Sequence, residues 1–221
     1  MERHREQELQ ELRQRLLWMG SLAERAVHNA VRSLVEGDTK LAESVMEEEA
    51  AINSLQIEID ERVLRLLALQ QPMAVDLRMI TAAMKINADL ERIGDQAVNI
   101  AQCVSFLLQY PQVKPYIDIP RMSELAEGMV KDALDSFVKR DVDLAKQILL
   151  RDETVDQLRD QLFRELITYM MERPSVIVPA FQLTLVARNL ERVADHATNI
   201  AEDVIYMVLG QDIRHHASDK R

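Results

Sequence analysis

The chain of 221 residues is 48% hydrophobic, carries a formal net charge of −10, and contains five Gly and six Pro residues. Nucleic-acid-binding surfaces need a basic stripe and aromatic side chains for base stacking, so an acidic chain with 4% aromatic residues argues against a nucleic-acid partner. The single cysteine, Cys103, excludes an intramolecular disulfide framework and a cysteine-rich zinc site.

Composition also indicates the fold class and the location of the protein. Leu, Ile, Val, Ala and Met supply most of the apolar residues, and turn-forming residues are scarce, which predicts an all-helical protein. The N-terminus runs directly into an amphipathic pattern without an apolar signal region, and no stretch approaches the length of a membrane span. We therefore expect a soluble, cytoplasmic protein.

Apolar residues at helical spacing, interrupted by Pro and Gly, divide the chain into six predicted helices. These helices cover about residues 5–36, 38–71, 74–109, 121–140, 141–173 and 176–209. Gly37 and Gly210 each follow an apolar-periodic run, which is the position of a helix C-cap. Pro111, Pro115 and Pro120 form the one longer connector, whereas the turns within each half are short enough to make neighbouring helices antiparallel.

The second half of the chain repeats the first. Asp38 and the Leu-Ala pair that begins three residues later recur at Asp141, and the twelve residues from Leu90 recur from Leu190 with eight identities. An even repeat of about 100 residues is typical of two similar domains rather than of a solenoid of short units. The sequence therefore predicts an all-α fold, a tandem repeat of two antiparallel three-helix bundles related by a pseudo-two-fold axis. The predicted units are residues 1–110 and 121–210, followed by a tail at 211–221.

Both copies of the most similar segment keep two acids four residues apart, Glu91 with Asp95 and Glu191 with Asp195. Positions four apart lie on one helical face, so each pair stacks like charges at a cost of roughly a few tenths of a kcal/mol. On a helical projection these acids lie well round from the apolar seam, and we expect them on the outer surface of each bundle. An unfavourable pair that occurs twice, at matching positions, indicates a site for a cationic group.

Polar pairs on the preceding helices extend this pattern, Glu49 with Asn53 in the second helix and Asp152 with Asp156 in the fifth. If these helices pack antiparallel to their successors, the pairs converge on one shallow surface in each unit. Three or four carboxylates there suit a hard cation or a small multinuclear cluster with oxygen ligands. Because Asn53 stands where the C-terminal unit has a fourth acid, the N-terminal site is predicted to be the weaker one.

Each of these features also has an ordinary structural explanation. In a chain that is 29% charged, acids four apart often form only a solvated face. Arg92 and Arg192, which follow the first acid of each pair, are expected to form salt bridges rather than to contact phosphate. His196 is expected to point away from the acids, and Cys103 to behave as a small hydrophobic residue. The sequence has no glycine-rich phosphate loop and no inward Glu-x-x-His motif of a di-iron bundle.

Longer segments of the chain form a specific combination. They are the two Leu-Glu-Arg-(Ile/Val)-(Gly/Ala)-Asp copies that begin at Leu90 and Leu190, Ala42 with Ala145, Gln71-Pro72-x-x-x-Asp76-Leu77-Arg78, Thr168-Tyr169-Met170-Met171-Glu172, and Gly210-Gln211-Asp212-x-Arg214-His215. Together, across about residues 5–216, they resemble the PhoU family, bacterial regulators of phosphate uptake. The resemblance implies two three-helix bundles related by pseudo-symmetry, which agrees with the helices and the repeat.

The resemblance also implies a function, that of a non-enzymatic negative regulator of phosphate uptake and of the phosphate-starvation response. With phosphate plentiful, such a regulator binds the sensory domain of a two-component sensor histidine kinase, holds it silent, and restrains the Pst phosphate transporter through its ATPase subunit. We expect a homodimer that meets the membrane only through these partners.

Some members of the family carry multinuclear iron or zinc clusters on the acidic motifs, and magnesium or manganese suits the same oxygen ligands. The ligand candidates that this implies are Glu49, Glu91, Asp95, Asp152, Asp156, Glu191 and Asp195.

Two other functional classes stay open at this point. One is a metal-dependent hydrolase or oxidase that uses the carboxylates, and the other is a metal-storage or structural helical protein. An enzyme needs an open coordination position and a general base of shifted pKa. The absence of histidine from the acidic stripes argues against an enzyme.

Overall fold

The computed structural model describes residues 2–70 and 72–213. In this part of the chain it contains six long α-helices and one short 3-10 helix, Pro174–Val176. The α-helices are α1 (Glu2–Glu36), α2 (Thr39–Gln70), α3 (Ala74–Leu107), α4 (Asp118–Lys139), α5 (Val142–Glu172) and α6 (Ile177–Leu209). The predicted all-α fold is confirmed, and none of these helices is long and apolar enough to cross a membrane. Gln71, Arg214 and His215 of the motifs, and the tail from residue 214, lie outside the described residues.

The helix ends follow the predicted breaks to within two residues, except that two helices begin three residues early: α1, which begins at Glu2 rather than at residue 5, and α4. This helix begins at Asp118 rather than at residue 121, so Pro120 lies in its first turn instead of in the connector. A proline is tolerated there because the first backbone N–H groups of a helix have no intrahelical acceptor.

The two repeats turn in the same way between their first and second helices. Gly37 has a φ of +68° and ends α1, and the carboxylate of Asp38 accepts a hydrogen bond of 2.9 Å from the backbone N–H two residues later. In the second repeat Arg140 takes the left-handed position, with a φ of 55°, and Asp141 caps α5 through a hydrogen bond of 3.0 Å. Gly210 also ends its helix with a φ of +69°, so both predicted glycine C-caps are confirmed.

The two bundles share one continuous apolar core. Within each repeat the three helices pack on one another, and α3 then packs along α6 while α1 packs on α4. The buried sides of these two helices carry small and branched residues that are almost fully buried: Ile86, Leu90, Ile93 and Ala97 on α3, and Val186, Leu190, Val193 and Ala197 on α6, all members of one core cluster. Burial of each larger side chain stabilises the fold by about 1.5–3 kcal/mol, so the repeats stabilise each other.

Polar contacts determine how α3 and α6 are aligned. Lys85 Nζ lies 2.7 Å from Asp203 Oδ1. One turn further along α3, Asp89 Oδ1 lies 2.9 Å from His196 Nδ1 and accepts a hydrogen bond of 3.3 Å from the side-chain amide of Asn199. Rising residue numbers on α3 meet falling numbers on α6, so the two helices are antiparallel about the pseudo-two-fold axis. This arrangement brings matching residues of the repeated segment close to the same axis.

The second junction between the repeats, α1 on α4, is also close and partly polar. Gly20 packs so tightly that a Cβ atom there would lie 2.1 Å from Leu134 Cδ1. Beside it, burial raises the pKa of Glu24 to about 7; the charge of Lys131 opposes this shift and the charge of Glu127 adds to it. The α1–α4 junction therefore combines a buried apolar contact with two partly desolvated acids.

Candidate functional site

The first group of predicted ligands lies on the outside of the N-terminal repeat, where α2 and α3 are adjacent. We call Glu49, Asn53, Glu91 and Asp95 the N-terminal cluster. Burial raises the pKa of Asp95, and the charge of Glu49 raises it further. The pKa of Glu91 is raised by burial and by Asp95, against the opposing charge of Arg92. Glu49 itself accepts a hydrogen bond of 2.6 Å from Asn53 Nδ2, so the amide holds this carboxylate in place.

The second group is the C-terminal cluster, which consists of Asp152, Asp156, Glu191 and Asp195 on α5 and α6. Burial is the main cause that raises the pKa of Asp152 to about 6, and the charges of Asp195, Asp156 and Glu191 add to it. The pKa of Asp195 is likewise raised, by burial first and then by Asp156. Four carboxylates from two helices therefore repel one another on this surface.

An arginine from α5 lies among these acids. The Arg159 guanidinium donates a hydrogen bond to Glu191 and lies 3.6 Å from Asp156 Oδ1 and 2.8 Å from Asp160 Oδ1. The corresponding residue of the first repeat is Gln56, so the N-terminal cluster lacks this cation. The C-terminal cluster thus carries a built-in counter-ion that partly offsets the repulsion between its carboxylates.

The donor chemistry of both clusters fits a metal ion that prefers oxygen ligands. Among the described residues, no three His, Cys, Asp or Glu side chains already stand in the arrangement of a metal site, so coordination requires some of these side chains to turn inward. Asp95 and Asp195 are exposed and the other five predicted ligands are only partly buried, which leaves room for such turns. His196 is hydrogen-bonded to Asp89 at the α3–α6 junction.

Removal of the positive charge of Arg159 is expected to strengthen the binding of metal cations at the C-terminal cluster. In Arg159→Gln the carboxylates lose a competing positive charge, so we expect Mn²⁺ to bind about tenfold more tightly by calorimetric titration. Arg164→Gln, which removes an exposed arginine from the same helix, is the matched control and should leave the titration unchanged. Equal or weaker Mn²⁺ binding in Arg159→Gln would contradict the role of Arg159 as a competing counter-ion.

The expectation for Arg92 and Arg192 is wrong. Neither guanidinium lies within ion-pair distance of a carboxylate of the described chain, although the charge of Arg92 acts on Glu91 and the charge of Arg192 acts on Asp195. Both arginines instead line a cleft of about 530 Å³ together with Asp195 and His196. A neighbouring cleft of about 470 Å³ is lined by residues that include Arg159, Phe163, Arg188 and Asp195.

Comparison with known proteins gives a consistent result. A family model described as the PhoU domain matches residues 16–104 and 119–204, which correspond to the two repeats. A protein of Pseudomonas putida named phosphate-specific transport system accessory protein PhoU homolog is 43% identical, and the match covers 94% of this chain and 82% of that protein. A protein of the same name from Aquifex aeolicus is also 43% identical, over 96% of this chain and 97% of its own length.

Solved structures agree with the sequence relatives. The crystal structure of PhoU from Pseudomonas aeruginosa superposes with a TM-score of 0.90 at 41% identity, covering 93% of this chain and 99% of the other. That of the phosphate transport system regulatory protein PhoU from Streptococcus pneumoniae gives a TM-score of 0.86 at 32% identity, covering 94% and 98%. With both repeats matched and more than 40% of residues shared with relatives along nearly the whole chain, this protein belongs to the PhoU family.

Proposed function

We propose that this protein is a regulatory accessory protein of a phosphate-specific transport system and that it acts without catalysis. The observation that carries the proposal is similarity along nearly the whole chain. Relatives named phosphate-specific transport system accessory protein match 94–96% of this chain. The family model matches both repeats, and both acidic clusters lie within the residues that it matches. The scaffold suits such a role because its six helices share one apolar core and leave both acidic clusters partly or fully exposed.

The partners that we propose are the sensory domain of a phosphate sensor histidine kinase and the ATPase subunit of the Pst transporter, met at the cytoplasmic side of the membrane. Surface features of the C-terminal repeat support protein docking. Phe163 is 47% exposed and lines a cleft with Asp195 of the C-terminal cluster. Met171 and Phe181, which are 80% and 54% exposed, lie closer to the α5–α6 turn. Exposed apolar residues rimmed by charges are typical of protein interaction surfaces.

In this role the protein is a negative regulator: with phosphate plentiful it keeps the kinase silent and the transporter restrained. A bound protein can shift the kinase between its two states only by the difference in its affinity for them. A tenfold difference corresponds to about 1.4 kcal/mol, which is within reach of a few interface contacts. We further propose that the protein acts as a homodimer.

The acidic clusters are proposed as divalent-cation sites, for multinuclear iron or zinc or for magnesium or manganese. When bound, the metal supplies positive charge to a surface that is otherwise strongly acidic. Glu91, Asp95 and Glu49 would hold it in the first repeat, and the four acids of the C-terminal cluster in the second. The raised pKa values of Glu91, Asp95 and Asp152 support the proposal, since like charges brought together are relieved by a cation.

The proposal is tested by deleting the gene in the source bacterium and measuring phosphate-starvation transcripts in phosphate-rich medium. We expect the transcripts to rise in the deletion strain and to fall again when the wild-type protein is restored. An Asp195→Asn protein should restore repression less well than Glu153→Gln, which removes an exposed acid next to the cluster. Unchanged repression in the deletion strain would refute the regulatory role.

The two alternatives are separated by work on the purified protein. Elemental analysis beside a phosphatase assay tests for an enzyme, and turnover that is lost in Asp195→Ala would favour a metal-dependent hydrolase. A pull-down with the kinase sensory domain tests for a storage or structural protein, which would show no binding.

A further inference from the structure

The cleft between α3 and α6 is lined by matching residues of the two repeats. Arg92 and Arg192 occupy the same position in their repeats, and the antiparallel packing of the helices brings them to one cleft on the pseudo-two-fold axis. Both side chains are exposed, and neither lies within ion-pair distance of a carboxylate of the described chain; their charges act on Glu91 and Asp195 only from farther away. Two guanidinium groups whose N–H donors are not used by a carboxylate are a typical arrangement for binding an oxyanion, because their planar N–H groups match its oxygens.

A buried amide also lines this cleft without a partner. Gln96 is only 7% exposed, and its Oε1 atom makes no hydrogen bond among the described residues. The reason lies in the broken symmetry of the repeat. His196 occupies the position in the second repeat that Gln96 occupies in the first, and it is hydrogen-bonded to Asp89. The counterpart of Asp89 in the second repeat is Asn189, which could have bonded to Gln96 in the same way. Instead Asn189 donates its amide N–H to the backbone carbonyl of Leu185 at 2.7 Å. Gln96 is therefore left with an unpaired acceptor that is closed off from solvent beside the cleft, and a ligand in the cleft reaches it only when the amide rotates outward. Native proteins rarely leave such a group unsatisfied.

The lining thus combines donors with acceptors. Arg92 and Arg192 donate, while Gln96 Oε1 and the carboxylate of Asp195 accept. An anion with no proton, such as sulfate, can satisfy only the arginines. An oxyanion that carries a P–O–H group can also donate to the acceptors. Inorganic phosphate keeps at least one such proton at neutral pH, whereas a phosphate monoester has lost its last proton above about pH 6.

From these observations we propose that the α3–α6 cleft binds inorganic phosphate, with Arg92 and Arg192 holding the charged oxygens and Gln96 accepting a hydrogen bond from the P–O–H group. The volume of about 530 Å³ leaves space for the anion with ordered water around it. This inference goes beyond the proposed function and does not depend on it, because binding is measured on the purified protein and regulation is measured in the cell.

The test is calorimetric titration of the full chain at about pH 8 and constant ionic strength, with phosphate, sulfate and glycerol 3-phosphate as separate ligands. We expect saturable phosphate binding with a Kd no weaker than about 1 mM, and at least about tenfold weaker binding of the other two anions. Absence of saturable phosphate binding overturns the proposal. Sulfate or the monoester binding as tightly as phosphate also overturns it, because either result means that the P–O–H group is not recognised.

Variants assign the binding to the cleft. Arg92→Gln and Arg192→Gln should each weaken phosphate binding about tenfold, whereas Arg121→Gln on α4, an exposed arginine away from the cleft, should leave it unchanged. Gln96→Met keeps the side-chain volume and removes the acceptor, so it should bring phosphate and sulfate affinities to within about twofold of each other. Circular dichroism confirms that each variant is folded. A variant that carries both Arg92→Gln and Arg192→Gln should lose most of its phosphate affinity. If it binds phosphate as tightly as the wild-type protein, the anion binds outside the α3–α6 cleft and the proposed site is wrong.

Discussion

A double variant in which Asp152 and Asp195 are replaced by asparagine is expected to be more stable than the wild-type protein at neutral pH and to lose stabilisation by divalent cations. Burial and the neighbouring acids raise the pKa of Asp152 from 3.8 to about 6, so its charged form is unfavourable in the folded state. A carboxyl group with a raised folded pKa binds more protons when folded, and stability therefore falls as pH rises from about 4 through about 6. Asparagine removes this loss.

We expect the gain at about pH 8 to be about 1 kcal/mol, or about 2–4 °C in Tm, since the partly exposed side chain is screened by solvent and the full shift does not appear as stability. The gain should shrink towards pH 4, where the carboxyl group of Asp152 is protonated in the folded protein. Urea unfolding with and without Mn²⁺ measures both effects, and Glu153→Gln is the neighbouring control. A double variant that is less stable at pH 8, or that is still stabilised by Mn²⁺, would contradict the explanation. Such a gain in stability at the expense of binding is characteristic of functional sites.

Replacing Gly20 by leucine is expected to lower the free energy of unfolding by about 3 kcal/mol. A Cβ atom at this position would lie 2.1 Å from Leu134 Cδ1, and both residues are buried where α1 of one repeat packs on α4 of the other. The Leu134 side chain has to move aside, and the remaining atoms of the new leucine overpack the α1–α4 junction, so the loss is a loss of contact between the repeats.

Gly128→Leu provides the matched control for this prediction. Gly128 also lies inside a helix, but a Cβ atom there meets nothing within 4 Å, so the same substitution should be neutral or slightly stabilising through helix propensity. Leu134→Ala combined with Gly20→Leu should recover part of the stability, and a double-mutant cycle by urea unfolding measures that coupling. If the two glycine substitutions change the free energy of unfolding equally, close packing at the α1–α4 junction does not explain the effect of Gly20→Leu.

The helices and their ends were largely predictable because they depend on local chemistry. Gly37 and Gly210 end helices in the left-handed conformation, as their positions after apolar runs indicate. The positions that differ are those where a residue departs from its usual preference. Arg140 adopts the left-handed conformation without being glycine, and Pro120 lies inside a first helical turn rather than in a connector.

By itself, the sequence determined which residues are helical, which helical face is apolar, that the chain is a repeat, and that acids four apart lie outside the core. These features follow from periodicity, which is a property of neighbouring residues. Only the tertiary structure decided which helices meet across the repeats. It pairs Asp89 with His196, brings Arg159 to Glu191, and leaves Arg92 and Arg192 without ion pairs in a shared cleft. The physical reason is that an apolar face can be buried against any complementary face, so residues about 100 positions apart are joined by packing that helical spacing does not encode.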